Sequence, residues 1–102
     1  FQKAFGFYQQ FDVPKSIEDM QAATNALREL DQCKGKIGSI GFCLGGKLSY
    51  LTAAHCGVGV AVCYYGVGIE EDLDLKDKIA CPVVMHFAEL DQFVPAEARD
   101  QV

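Results

Sequence analysis

The sequence predicts an α/β protein built on a parallel sheet of about three strands with helices packed against it. Short apolar runs alternate with stretches of helical periodicity, the order that gives parallel strands joined by right-handed crossovers. One run, Val58 to Tyr65 (VGVAVCYY), is apolar without alternation, the pattern of a strand covered on both faces. A third sign is the stretch GFCLGG, residues 41–46, which passes from strand to helix with almost no loop.

Residues 1–15 (FQKAFGFYQQFDVPK) are aromatic-rich and read as irregular, closing on Pro14. Ser16 then starts S-I-E-D, a capping box with Asp19, and Ile17, Met20, Ala23, Leu27 and Leu30 follow at helical spacing. A helix is expected over 17–32, ended by Lys34-Gly35. Lys36 to Phe42 forms the first strand, Leu44 to His55 a helix closed by Gly57, and Val58 to Tyr65 the second strand. Glu70 to Lys78 is acidic, with one helical turn, and Pro82 to Phe87 is the third strand. Pro95 opens a last helix as a first-turn residue.

Composition fits one globular domain or part of one: 102 residues, 50% hydrophobic and 23% charged, with a formal net charge of −5. No apolar run is long enough to span a bilayer, and the acidic balance without a Lys/Arg cluster argues against a nucleic-acid partner. Five cysteines without C-x2-C spacing, in a chain lacking an export signal, read as free thiols in a cytoplasmic setting, with no metal site. Cys33, Cys56, Cys63 and Cys81 are expected to be small buried hydrophobes. The chain starts without methionine and its last helix has barely begun at Val102, so it reads as a segment of a longer protein.

The chemistry is concentrated at Cys43. A turn this tight puts its middle residue in a strained conformation and brings strand and helix so close that flanking side chains collide. Glycines at Gly41 and Gly45 remove those side chains, and Gly46 follows as a third elbow glycine. The sulfur is then presented at a helix N-terminus, where the dipole favours thiolate, and the Leu44 amide is placed to hold a developing oxyanion. An inert turn cysteine is the competing reading. In an α/β-hydrolase sheet the acid follows the second strand after the nucleophile, which is where Asp91 lies, in AELDQFVP. Asp91 also fits a simple turn before a helix.

GFCLGGKLSYLTAAH, AVCYYGVGIE and HFAELDQFVPAEAR together resemble the dienelactone hydrolase (carboxymethylenebutenolidase) family. The resemblance implies an α/β-hydrolase fold, a Cys–His–Asp triad, no metal or cofactor, and hydrolysis of the ring ester of dienelactones to maleylacetate. It makes Cys43 the nucleophile, Asp91 the triad acid and Leu44 an oxyanion-hole amide. Tyr64 and Tyr65 become site-lining residues, with core aromatics as their alternative role.

In that family the triad histidine follows the acid, whereas His55 and His86 both precede Asp91. Residues 1–102 therefore read as the central to C-terminal part of one such domain, lacking the first strands and the terminal strand with the histidine. A second oxyanion amide and the substrate-binding arginines are expected outside it. Alone, the segment is expected not to turn over its small-molecule lactone or ester. It is also expected to self-associate through unpaired edges and an uncovered apolar face. Two alternatives stay open: a class I glutamine amidotransferase-like cysteine enzyme, and a non-catalytic α/β-hydrolase module used for binding.

Overall fold

A computed structural model describes residues 1–102 of the chain. Its elements in order are α1 (Gln2–Gln9), α2 (Val13–Glu29), β1 (Gly38–Phe42), α3 (Leu44–His55), β2 (Val60–Tyr64), a 3-10 segment (Ile69–Lys78), β3 (Val83–His86) and α4 (Ala96–Gln101). The three strands form one parallel sheet in the order β1-β2-β3. Register sets Phe42 beside Tyr64 and Tyr64 beside His86, so the C-terminal ends of all three strands lie along one edge. The α/β class and the parallel sheet are as the sequence predicts.

Helix α3 covers one face of the sheet. Tyr50, Cys63 and Ile69 form one buried cluster, and Ala53, Val58 and Ala61 another. Tyr50 and Ile69 are 2% and 0% exposed, and each such side chain contributes about 1.5–3 kcal/mol on burial. The Tyr50 hydroxyl donates to the Asp72 carbonyl at 2.8 Å, satisfying the polar end of a buried ring. Helix α2 lies against α3, with the Thr52 hydroxyl 3.0 Å from the Met20 sulfur. The Arg28 guanidinium donates to the carbonyls of Cys56 and Gly57 at 3.2 and 2.8 Å. It thus satisfies acceptors that the end of α3 leaves open.

Five sequence expectations are corrected. The N-terminal aromatic stretch is helical, with the Phe1, Phe5 and Tyr8 rings stacked 6.2 and 6.0 Å apart in succession. Helix α2 starts upstream of Ser16: Asp12 is the N-cap, its Oδ1 accepting from the Lys15 amide at 3.1 Å. Pro14 falls in the first turn, where its missing N–H costs nothing. Ser16 instead donates to the Val13 carbonyl at 2.7 Å, and Asp19 pairs with Lys15 at 3.0 Å. Helix α2 also ends sooner, because Leu30 turns extended at ψ 135. The acidic segment holds 10 residues of 3-10 helix with a kink at Asp72, more than one turn. Finally, β2 is covered on one side only. Ala61 and Cys63 are 0% exposed toward α3, while Val60 on the other face is 38% exposed. No element of the chain lies over Ile40, Phe42, Val60 and Val84, all exposed on that face.

Candidate active site at the sheet edge

Cys43 alone makes the turn between Phe42 and Leu44. Its backbone sits at φ 57, ψ −120, a conformation that L-residues rarely adopt and that costs on the order of 1–3 kcal/mol. Hydrogen bonds hold it there. The Cys43 N–H donates to the Tyr64 carbonyl at 3.0 Å, extending the β1–β2 pairing by one residue. Its carbonyl accepts from the amides of Gly46, Lys47 and Val67 at 2.9, 3.3 and 3.4 Å. The Cys43 residue is exposed at the N-terminus of α3.

The close approach requires glycine at two places. A Cβ on Gly41 would stand 1.8 Å from the Gly45 carbonyl oxygen, and one on Gly46 2.6 Å from the Tyr64 carbonyl oxygen. Gly45 corrects the sequence expectation, since a Cβ there meets nothing within 4 Å. The collision is one-sided: it is the Gly45 backbone that Gly41 must clear. Leu44 is the first residue of α3, so its N–H has no intrahelical acceptor, and it donates to no other backbone group.

Tyr64 and Tyr65 close the next strand beside the elbow. The Tyr64 ring stacks on Phe42 at 4.9 Å and on His86 at 4.5 Å, and Tyr65 lies 6.3 Å from Phe42. Tyr65 also takes a positive φ of 39, with its N–H donating to the His86 carbonyl at 2.7 Å. Asp91 lies in the loop after β3, half-buried, where its Oδ1 accepts from the Phe93 amide at 2.9 Å. The start of that loop is tied down by Arg99, whose guanidinium donates to the Ala88 carbonyl at 2.9 Å. Cys43, Leu44 and the two tyrosines are thus gathered by backbone pairing. Asp91 makes no hydrogen bond to any of them.

The link between the Asp91 loop and the elbow is a cavity. About 310 Å³ in volume, it is lined by Phe1, by Ala4, Phe5 and Tyr8 of α1, and by Cys43, Val67 and Phe93. Val67 and Phe93 lie inside the stretches AVCYYGVGIE and HFAELDQFVPAEAR, but nothing local marks them, Phe5 or Tyr8 as neighbours of Cys43. Positions 1, 4, 5 and 8 do carry helical apolar spacing, the signal that would have found α1 and its inner face. Val67 and Phe93 sit in separate loops, and only the tertiary fold brings them to Cys43. A larger hollow of about 460 Å³ lies between α2, β1 and α3. Its Ser39 and Ser49 hydroxyls bond each other at 2.7 Å, and it carries no ionisable side chain.

The remaining candidates fall away from this chemistry. Burial raises the thiol pKa of Cys56, with Arg28 opposing, and burial raises that of Cys63, with Ser49 opposing. His55 is the last residue of α3, at the end opposite the elbow. His86 is exposed and stacked on Tyr64. No group of three or more His, Cys, Asp or Glu is placed to hold a metal ion, and no helix is long and apolar enough to cross a membrane.

Comparison with known proteins matches residues 2–102 to the model of the dienelactone hydrolase family. The chain is 38% identical over 101 residues to the carboxymethylenebutenolidases of Pseudomonas putida and Pseudomonas knackmussii, covering 99% of its own length. It is 32% identical over 98 residues to carboxymethylenebutenolidase 1 of Cupriavidus pinatubonensis, covering 96% of its length. It spans 43%, 43% and 42% of those three relatives.

Proposed function

The chain belongs to the dienelactone hydrolase family, and we propose that it forms the nucleophile-bearing part of an enzyme that hydrolyses lactones or small esters. The observation that carries this reading is the backbone of Cys43, held at φ 57, ψ −120 between a strand end and a helix start with its side chain exposed. Such strain is costly unless the position serves a purpose, and presenting a nucleophile is the purpose the geometry suits.

In the proposed reaction the Cys43 thiolate attacks the ester carbonyl carbon, forming a carbon–sulfur bond. The electron pair displaced onto oxygen is stabilised by the Leu44 N–H and the positive end of α3. Collapse breaks the carbon–oxygen bond, and the leaving oxygen takes the proton the thiol gave up. Water then cleaves the thioester, releasing the carboxylic acid and restoring the thiol. A base must carry that proton in both halves. Neither His55 nor His86 is placed for this, so the base belongs to residues beyond these 102. Asp91 would orient it, with Oδ2 available because Oδ1 is engaged by the Phe93 amide. The five free cysteines fit a reducing compartment such as the cytoplasm.

The test is acylation of the full-length protein. Incubation with a slow ester should add one acyl mass to the peptide containing Cys43, and Cys43→Ala should abolish both the adduct and turnover. Hydrolysis that survives Cys43→Ala would overturn the assignment.

A further inference from the structure

The cavity beside Cys43 is walled by side chains that offer a substrate apolar surface: Phe5 and Tyr8 from α1, Val67 after β2 and Phe93 after Asp91. Three are aromatic, and the four arrive from three separate parts of the chain. A volume of about 150 Å³ suffices to hold benzene in an apolar protein cavity. The roughly 310 Å³ here is open to solvent on one side, with Phe5, Tyr8 and Phe93 44%, 42% and 54% exposed, and has room for a ring together with the few atoms linking it to a carbonyl. The wall is also coupled to the elbow. The Val67 amide donates to the Cys43 carbonyl at 3.4 Å, and the Asp91 carboxylate holds the Phe93 amide at 2.9 Å. The backbone of Cys43 therefore fixes one side of the pocket through Val67, and the Asp91 carboxylate fixes another through Phe93.

We propose that this cavity is a subsite for an aromatic or compact apolar group adjoining the reacting carbonyl. The preferred substrates of the site are then esters or lactones carrying such a group, rather than small unadorned esters. The inference rests on the hydrolase reading above for its turnover readout. Methyl phenylacetate and methyl acetate release the same alcohol and differ only in the ring. Burial of one ring predicts kcat/KM about 10- to 100-fold higher for the phenylacetate in the full-length protein. Val67→Phe fills the cavity and should bring that ratio toward one. Phe5→Ala enlarges it and should shift preference toward methyl naphthylacetate.

A second measurement does not require turnover. Phenylacetamide, which the site would hold without fast cleavage, should slow iodoacetamide labelling of Cys43, whereas acetamide at equal concentration should not. Protection by phenylacetamide without hydrolysis of either ester would sink the hydrolase reading and keep the subsite. Hydrolysis with a ratio near one, and no selective protection, would overturn the subsite and keep the hydrolase.

Discussion

Replacing Gly41 by alanine tests the elbow more sharply than removing its sulfur. The added Cβ would stand 1.8 Å from the Gly45 oxygen, 2.2 Å from the Gly45 carbonyl carbon and 2.9 Å from the Gly46 nitrogen. Carbon and oxygen settle at about 3.3–3.6 Å, so strand and helix must part by about 1.5 Å. The atoms in the way are backbone, and no rotamer change relieves them. Separation would break the hydrogen bonds from Gly46 and Lys47 to the Cys43 carbonyl, 2.9 and 3.3 Å long. Overpacking of a tight site costs about 1–3 kcal/mol, and the lost hydrogen bonds place Gly41→Ala at or above the upper figure. Gly45→Ala is the control, one turn of backbone away. Its Cβ enters open space within α3, where alanine is better than glycine by about 0.5–1 kcal/mol. Urea unfolding of the full-length protein reads both. Gly41→Ala should lower the midpoint by about 1 M or more at an unchanged slope, and Gly45→Ala should leave it level or raise it. Equal effects from the two substitutions, or a Gly41→Ala cost under about 1 kcal/mol, would refute the one-sided collision.

Arg28→Ala removes two charge-assisted hydrogen bonds to the end of α3 and should cost about 1–3 kcal/mol by urea unfolding. Arg28→Lys should recover only part of this, since the shorter lysine must bring its ammonium to the place of the one nitrogen, Nη2, that serves both carbonyls. Lys47 predicts a pH effect. Burial acts to lower its pKa, but Asp72 at 3.1 Å and Glu71 at 3.5 Å more than reverse this and leave it above 10.5. A raised folded-state pKa means its contribution is complete below pH 10.5 and is lost as pH rises through the folded value. Lys47→Met should flatten the alkaline limb of the stability curve; an unchanged limb would show that another group controls it. The 102-residue chain by itself should self-associate through Ile40, Phe42 and Val84, which are 64%, 54% and 45% exposed on the open sheet face. Sedimentation equilibrium should give a mass above 11.1 kDa that falls when Ile40 is changed to Lys. A monomer at every concentration would contradict this.

What was legible in the sequence depended on local chemistry. The turn at Cys43 could be read because glycine spacing and a strand-to-helix switch both act within six residues. The start of α2 was misplaced because Asp12 and Ser16 are both good caps four residues apart, and the choice hinges on where Pro14 falls. VGVAVCYY reads as a strand covered twice, and the structure covers it once. The expectation fails on one face although both faces are apolar: Val60, Val62 and Tyr64 lie on the open side, and Ala61 and Cys63 on the closed one. A helix on α3's face explains only half of that pattern, and the open half is the same face on which Phe42, Tyr64 and His86 stack. The site divides along the same line. Cys43, Leu44 and Asp91 stand out because strand ends and short motifs mark them. Phe5 and Tyr8 carry no motif, Val67 and Phe93 lie inside quoted motifs without being marked as pocket lining, and the four become neighbours only when α1 and two loops converge on the elbow. The geometry of the Cys43 turn is written in contiguous residues, while the pocket proposed as a subsite is written across 93 positions of chain, from Phe1 to Phe93. If the proposed subsite holds, relatives sharing the elbow can differ in substrate without any change near Cys43, and the part of specificity that these residues carry is to be sought in α1 and the loops after β2 and β3.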